Sequence, residues 1–180
     1  MTKLTHTATG KPTAVLYTYF SYNNHQSQTA SNIIASLLRQ LLSQLPIVPV
    51  EVESIYMCCS PNHSRPELST LFRLFVSCVA NFSSVLVVFD GLDECEGAQL
   101  REIVPLIRQI GSLSIKVLIT TRPHLGYLEQ QLGQTSTLTI SAQATDIDKY
   151  VQERLDNENK ISPRLREIIL EKVVCQADGM

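Results

Sequence analysis

The run Val85-Leu86-Val87-Val88-Phe89-Asp90-Gly91-Leu92-Asp93-Glu94-Cys95 constrains this chain more than any other stretch. Five consecutive apolar residues, three of them Val, predict a short strand buried on both faces, as in parallel sheets. The strand ends in acids: Asp90 at its tip, then Asp93 and Glu94. Open α/β sheets place ligands outside the carboxyl ends of their strands. A carboxylate at such a tip suits a hydrated Mg²⁺, and the acids just beyond suit the orientation of a water molecule. The same letters also suit a plainer arrangement, a strand followed by a polar turn and the acidic start of a helix.

A second short apolar run follows, Ile115-Lys116-Val117-Leu118-Ile119-Thr120-Thr121-Arg122-Pro123, stopped by proline. Between the two, Leu100, Ile103, Val104, Ile107 and Ile110 recur at helical spacing over Ala98 to Gly111. The spacing predicts strand, helix, strand, with a right-handed parallel crossover. Arg122 then falls at the same sheet edge as Asp90. A planar, permanently charged, multidentate guanidinium suits a terminal phosphate oxygen there. Taken alone, an Arg before a Pro is an ordinary loop residue.

The rest of the chain reads as α/β. Ala14 to Tyr22 is β-rich and ends at the turn signal Asn23-Asn24. Thr29 or Ser31 can cap a helix whose face is Ile33, Ile34, Leu37, Leu38, Leu41, Leu42 and Leu45, stopped by Pro46. Pro46 to Pro66 reads as irregular, with a helical turn within Val48 to Met57. Leu68, Leu71, Phe72, Phe75, Val79 and Phe82 form the next helix face. Leu125, Leu128 and Leu132 suggest a short helix closed by Gly133, and Ser136 to Ile140 a last strand. Thr145 can cap a helix carrying Ile147, Tyr150, Val151 and Leu155. Ser162-Pro163 is a cap and first-turn pair for a final helix with Leu165, Ile168, Ile169 and Val173 inside.

Composition narrows the function classes. The chain has 180 residues, one domain by length, with 44 % apolar residues, enough for a core. A net charge of −2 offers no basic face for nucleic acid or an anionic membrane. No apolar run approaches the roughly 18 residues of a membrane span, and Met1 to Pro12 lacks the apolar stretch of a signal peptide. A soluble, cytoplasmic protein is expected, its five cysteines reduced. Cys58-Cys59 near His63 is the nearest approach to a metal-ligand cluster, and no C-x-x-C pair supports zinc.

Together the two motifs resemble a known family. "VLVVFDGLDEC" followed by "KVLITTRP" is similar to the Walker B and sensor 1 motifs of NACHT-type NTPases, within the STAND class of signalling ATPases. "AVLYTYFSYNNHQSQTASNIIASLLRQLL" resembles the region after the P-loop in fungal NACHT proteins of the nephrocystin-3-like type, and "QADGM" the segment after their ATPase core. The resemblance implies a three-layer αβα P-loop NTPase-like core of strand order 2-3-4-1-5, the P-loop strand being strand 1. It implies that Asp90 holds Mg²⁺, that Asp93 and Glu94 are catalytic, and that Arg122, Thr120 and Thr121 bind the nucleotide. It also implies an irregular leader over 1–12, the α/β core over 13–142, and a helical segment over 143–180 leading to a lid and a repeat array such as ankyrin repeats.

The G-x-x-x-x-G-K-[ST] loop that opens such a core does not occur. The nearest string is Thr9-Gly10-Lys11-Pro12-Thr13, with Thr5 where the first glycine belongs. Pro12 removes an amide donor and disfavours the helix that should start there. The core is thus expected to be truncated at its first strand and P-loop, whether as an engineered piece, a gene fragment or a mis-assigned start. Charged hydrogen bonds are worth ~1.5–3 kcal/mol each, so losing about five takes micromolar affinity to negligible. ATP with Mg²⁺ is expected to bind the intact family protein, an ATP-dependent oligomerisation switch, and this chain weakly or not at all. The alternative is an inactive remnant acting as a protein-interaction module. A metal-dependent hydrolase using Asp90 and Asp93 would need histidine ligands, and the nearest, His63 and His124, fall in loops. Strands 115–120 and 136–140, lacking a central neighbour, are expected to pair with each other or to drive association with protein partners or other copies.

Overall fold

A β-branched and aromatic run, Thr13–Tyr19, forms the first strand, β1. The computed structural model of the chain describes residues 10–62, 64–95, 97–122, 127–133, 135–157 and 161–176. Most of the expected leader (1–9), His63, Pro123, His124, Leu125 and residues 177–180 lie outside these. Contacts divide the chain into two compact units, Met1–Thr135 and Ser136–Met180.

In the first unit a 3-10 turn, Tyr22–Ser27, leads to helix α1, Ala30–Leu42. Thr29 is its N-cap, accepting from the Asn32 amide at 3.2 Å. Ile33, Ile34, Leu37, Leu38 and Leu41 are buried along one stripe. Where a single helical turn is expected within Val48 to Met57, residues Val50–Cys59 form a ten-residue helix, α2. Pro49 enters it with φ already at −60°, and Glu51 and Glu53 in the first turn complement the helix dipole. None of its residues is fully buried, which is why no apolar period betrays it. Helix α3, Leu68–Val79, buries Leu71, Leu74, Phe75 and Cys78, while Leu68 stays exposed. Strand β2 is Ser84–Asp90, helix α4 is Gly97–Gly111 and strand β3 is Lys116–Ile119. A short helix α5, Tyr127–Leu132, ends at Gly133 with φ +87°, the left-handed stop that glycine accepts.

The three strands form a parallel sheet in the order β1-β2-β3. The chain is therefore a mixed α/β protein, and this order matches the 2-3-4 portion expected. Parallel strands added one after another by right-handed crossovers carry every connection on one face. The core obeys this. Ala14 and Leu16 of β1, Val85, Val87 and Phe89 of β2, and the buried faces of α1, α3 and α4 belong to one cluster. The opposite sheet face is open: Val15, Tyr17, Tyr19 and Leu118 are half or more exposed. Strand β2 is thus fully buried on one face only, against the expectation of both, because a second helix layer needs a reversal of strand order.

The second unit holds α6, Ala144–Asp156, and α7, Pro163–Gln176. Gln143, rather than Thr145, occupies the N-cap of α6. Ser162 accepts from the Leu165 amide at 3.4 Å, as its place before Pro163 predicts. Val151 and Leu155 are buried, but Leu165, Ile168 and Val173 are exposed rather than inside. Two helices alone offer each other one covering surface. Residues 136–140 carry no strand, with Leu138 and Ile140 more than 80 % exposed. Among the described residues their alternating pattern has no cross-strand partner, and β-propensity expresses itself through such partners. No helix among the described residues is long and apolar enough to cross a membrane.

Candidate functional site

Because β1, β2 and β3 run parallel, their carboxyl ends share one edge. Backbone bonds draw the connecting segments together there. The Phe20 amide donates to the Asp90 carbonyl at 2.9 Å, and the Leu92 amide to the Thr120 carbonyl at 3.0 Å. Gly91 turns the chain out of β2 with φ +72°, a left-handed conformation that side chains with a Cβ resist.

Asp90 is the last residue of β2. Its Oδ1 accepts a hydrogen bond from the Thr120 hydroxyl. The same hydroxyl oxygen accepts from the Gly91 amide at 2.9 Å. Thr120 therefore staples the end of β3 to the turn after β2 and fixes the orientation of the Asp90 carboxylate. Thr121 does not join it: its hydroxyl donates to the Arg122 carbonyl at 3.3 Å.

Asp93 lies in the 3-10 turn Leu92–Glu94, and its side chain is only 6 % exposed. Its Oδ1 accepts from the Arg122 backbone amide at 3.2 Å, and its Oδ2 faces Arg122 Nε at 3.3 Å. The Arg122 side chain is 72 % exposed. Glu94 points elsewhere and accepts from the Tyr22 amide at 3.0 Å through Oε2. Each carboxylate thus serves a different neighbour: Asp90 the end of β3, Asp93 the loop after it, Glu94 the segment after β1. Behind them Cys95 is buried, and burial first, then the charges of Asp93 and Glu94, push its thiol up to about 12.

Two participants escape sequence reasoning. Tyr22 acts through its backbone amide, which no side-chain pattern signals. Gln28 is buried, donating to the Ser21 carbonyl at 3.1 Å and so pinning the segment after β1. Its place before the Thr29 cap is the one available hint.

The donor set at the edge can be tested against a metal ion. Among the described residues no group of three or more His, Cys, Asp or Glu converges to hold one by itself. Magnesium with a nucleotide needs only one or two carboxylates and takes its remaining ligands from water and phosphate. A single strand-tip carboxylate steadied by a hydroxyl, as Asp90 is, fits that demand.

Residues 1–122 match the family described as Nephrocystin 3, N-terminal. No curated protein matches the chain. Among solved structures, the crystal structure of Cdc6p from Pyrobaculum aerophilum is similar at 12 % identity with a TM-score of 0.48. That similarity covers 87 % of this chain and 40 % of the Cdc6p chain, so the protein spans well under half of that structure.

Proposed function

The chain belongs to the nephrocystin 3 N-terminal family, and on that premise we propose that its β2–β3 edge is the magnesium- and terminal-phosphate-facing half of a nucleoside triphosphate site. Family and fold make the chain a P-loop NTPase-related module. The finer reading is the Walker B and sensor 1 half of a NACHT-type signalling core, of the STAND class, whose nucleotide state governs oligomerisation. The observation that carries it is the direct bonding of two strand ends. A strand-tip carboxylate meets a hydroxyl, and a guanidinium stands exposed beside them. Asp90 would hold the magnesium ion, which on binding would neutralise developing phosphate charge. Arg122 would meet a terminal phosphate oxygen, and Thr120 keeps Asp90 oriented.

Calorimetry with Mg·ATP tests this reading. The chain alone is expected to give no binding up to about millimolar ligand, where the interaction is near 4 kcal/mol. Fusing a phosphate-binding strand, loop and helix of the family ahead of Gly10 is expected to create binding. Asp90→Asn and Arg122→Ala should each weaken it at least about tenfold. Undiminished affinity in both variants overturns the proposal.

One observation favours the second reading, a catalytically inactive interaction module. The Asp93 side chain is 6 % exposed with both oxygens turned to Arg122, and one oxygen of Glu94 is taken by the Tyr22 amide, an arrangement that serves the protein's own loops.

A further inference from the structure

Arg122 lies in a loop, 72 % exposed, yet it is gripped from beneath. One oxygen of Asp93 takes its backbone amide and the other faces its Nε. The gripping carboxylate is itself 94 % covered, since 6 % of its side chain is exposed. Among the described residues neither Nη nitrogen of Arg122 has a partner. A guanidinium held by Nε alone has its rotation about the last bonds restrained, while its two Nη groups stay available as a fork for a second anion.

We infer that Asp93 is a positioning residue for Arg122: it holds backbone and Nε so that the paired Nη groups project from the sheet edge as a phosphate fork. This rests on the phosphate-facing reading above and deepens it. It also reassigns Asp93, because a carboxylate covered by protein, with both oxygens turned to Arg122, is placed to hold that residue rather than to orient a water. The pairing is geometrically selective. Asp93 sits in the turn set by left-handed Gly91, and the Leu92 amide ties that turn to the Thr120 carbonyl, two residues before Arg122. Turn and arginine are therefore carried on one bonded frame, and their relative placement does not depend on side-chain chance.

Proton–nitrogen NMR of the full chain, labelled at arginine, tests the inference. The Arg122 Nε signal is assigned by its loss in Arg122→Lys. In the unaltered chain its Nε proton should exchange with water more slowly than in Asp93→Asn, because the covered Asp93 carboxylate stands 3.3 Å from Nε as its ion-pair partner. The backbone amides of β2 and β3 are followed in both, so that unfolding is recognised separately. Asp93→Glu, which keeps the charge but moves it, should restore less than half of the protection. Fast Nε exchange in the unaltered chain, or exchange that Asp93→Asn leaves unchanged, overturns the inference. Adding Mg·tripolyphosphate well above millimolar, beyond the range in which the chain alone is expected to show no binding, then reads the fork. Shifts confined to the Nη signals, and weakened in Asp93→Asn, support the positioning role. Equal Nη shifts in both proteins refute it. Slow Nε exchange with no Nη response at any concentration keeps the Asp93–Arg122 grip and removes the phosphate reading.

Discussion

At the scale of single residues, the edge shows how one side chain can carry several tasks. Thr120 accepts from Gly91 and donates to Asp90, so its hydroxyl is spent on the protein before any ligand arrives. The cysteines separate just as sharply. Cys95 and Cys78 are buried, and burial raises both thiols, Cys95 up to about 12 with the added repulsion of Asp93 and Glu94. Cys58 is exposed. A thiol raised in the folded state stabilises the fold fully below its ordinary ionisation range. That contribution is lost as pH climbs from there toward the folded value. Denaturant midpoints should therefore hold steady from pH 7 to about 8.5 and then fall. Cys95→Ala should flatten the fall, and a slope unchanged by that substitution would contradict the assignment. Sequence could locate Asp90, Asp93, Glu94, Thr120 and Arg122 as edge residues, because period and proline punctuation place strand ends. It could not tell which carboxylate serves which partner, since that depends on distances of a few tenths of an ångström.

At the scale of elements, the outer edge of β1 is covered by a side chain. On β1 the Gln40 side chain from α1 accepts from the Tyr17 amide at 3.0 Å and donates to the Tyr17 carbonyl at 2.9 Å. A side-chain amide thus stands where another strand would pair, a common way to blunt an edge. Gln40→Ala should cost about 1 kcal/mol, the worth of two exposed hydrogen bonds partly replaced by water. It should also expose the Tyr17 amide, whose hydrogen exchange reports the change directly. Unaltered protection of that amide would show the pairing to be idle. Helix α1 was legible because its stripe is wide and continuous, and the structure chose Thr29 over Ser31 as its cap. Helix α2 was legible only as a turn within Val48 to Met57, because it buries no residue fully and its apolar residues obey no single face. The expected strand at 136–140 failed for the converse reason. Its letters alternate well, but alternation stabilises only a strand that has a partner.

At the scale of the whole molecule, one sheet face is open. The register sets Tyr17 beside Val88 and Val88 beside Leu118, and Tyr17 and Leu118 are each about half exposed. Contiguous apolar surface of this kind favours association. Sedimentation should find the chain self-associating at about micromolar concentration, where a weak apolar contact near 8 kcal/mol is populated. Leu118→Lys should shift it toward monomer, and a clean monomer with a cooperative thermal transition would contradict the prediction.

What the sequence determined alone was local and periodic: the strand ending in acids, the helix before the second strand, and a family resemblance carried by contiguous motifs. These follow from side-chain spacing and backbone sterics, which act over a few residues. Tertiary structure alone decided that β2 is fully covered on one face, that Asp93 is gripped by Arg122 rather than open to solvent, and that α7 keeps Leu165, Ile168 and Val173 exposed. Each depends on which distant segment arrives as a neighbour. Burial and pairing are properties of that meeting, and no window of the chain contains both partners.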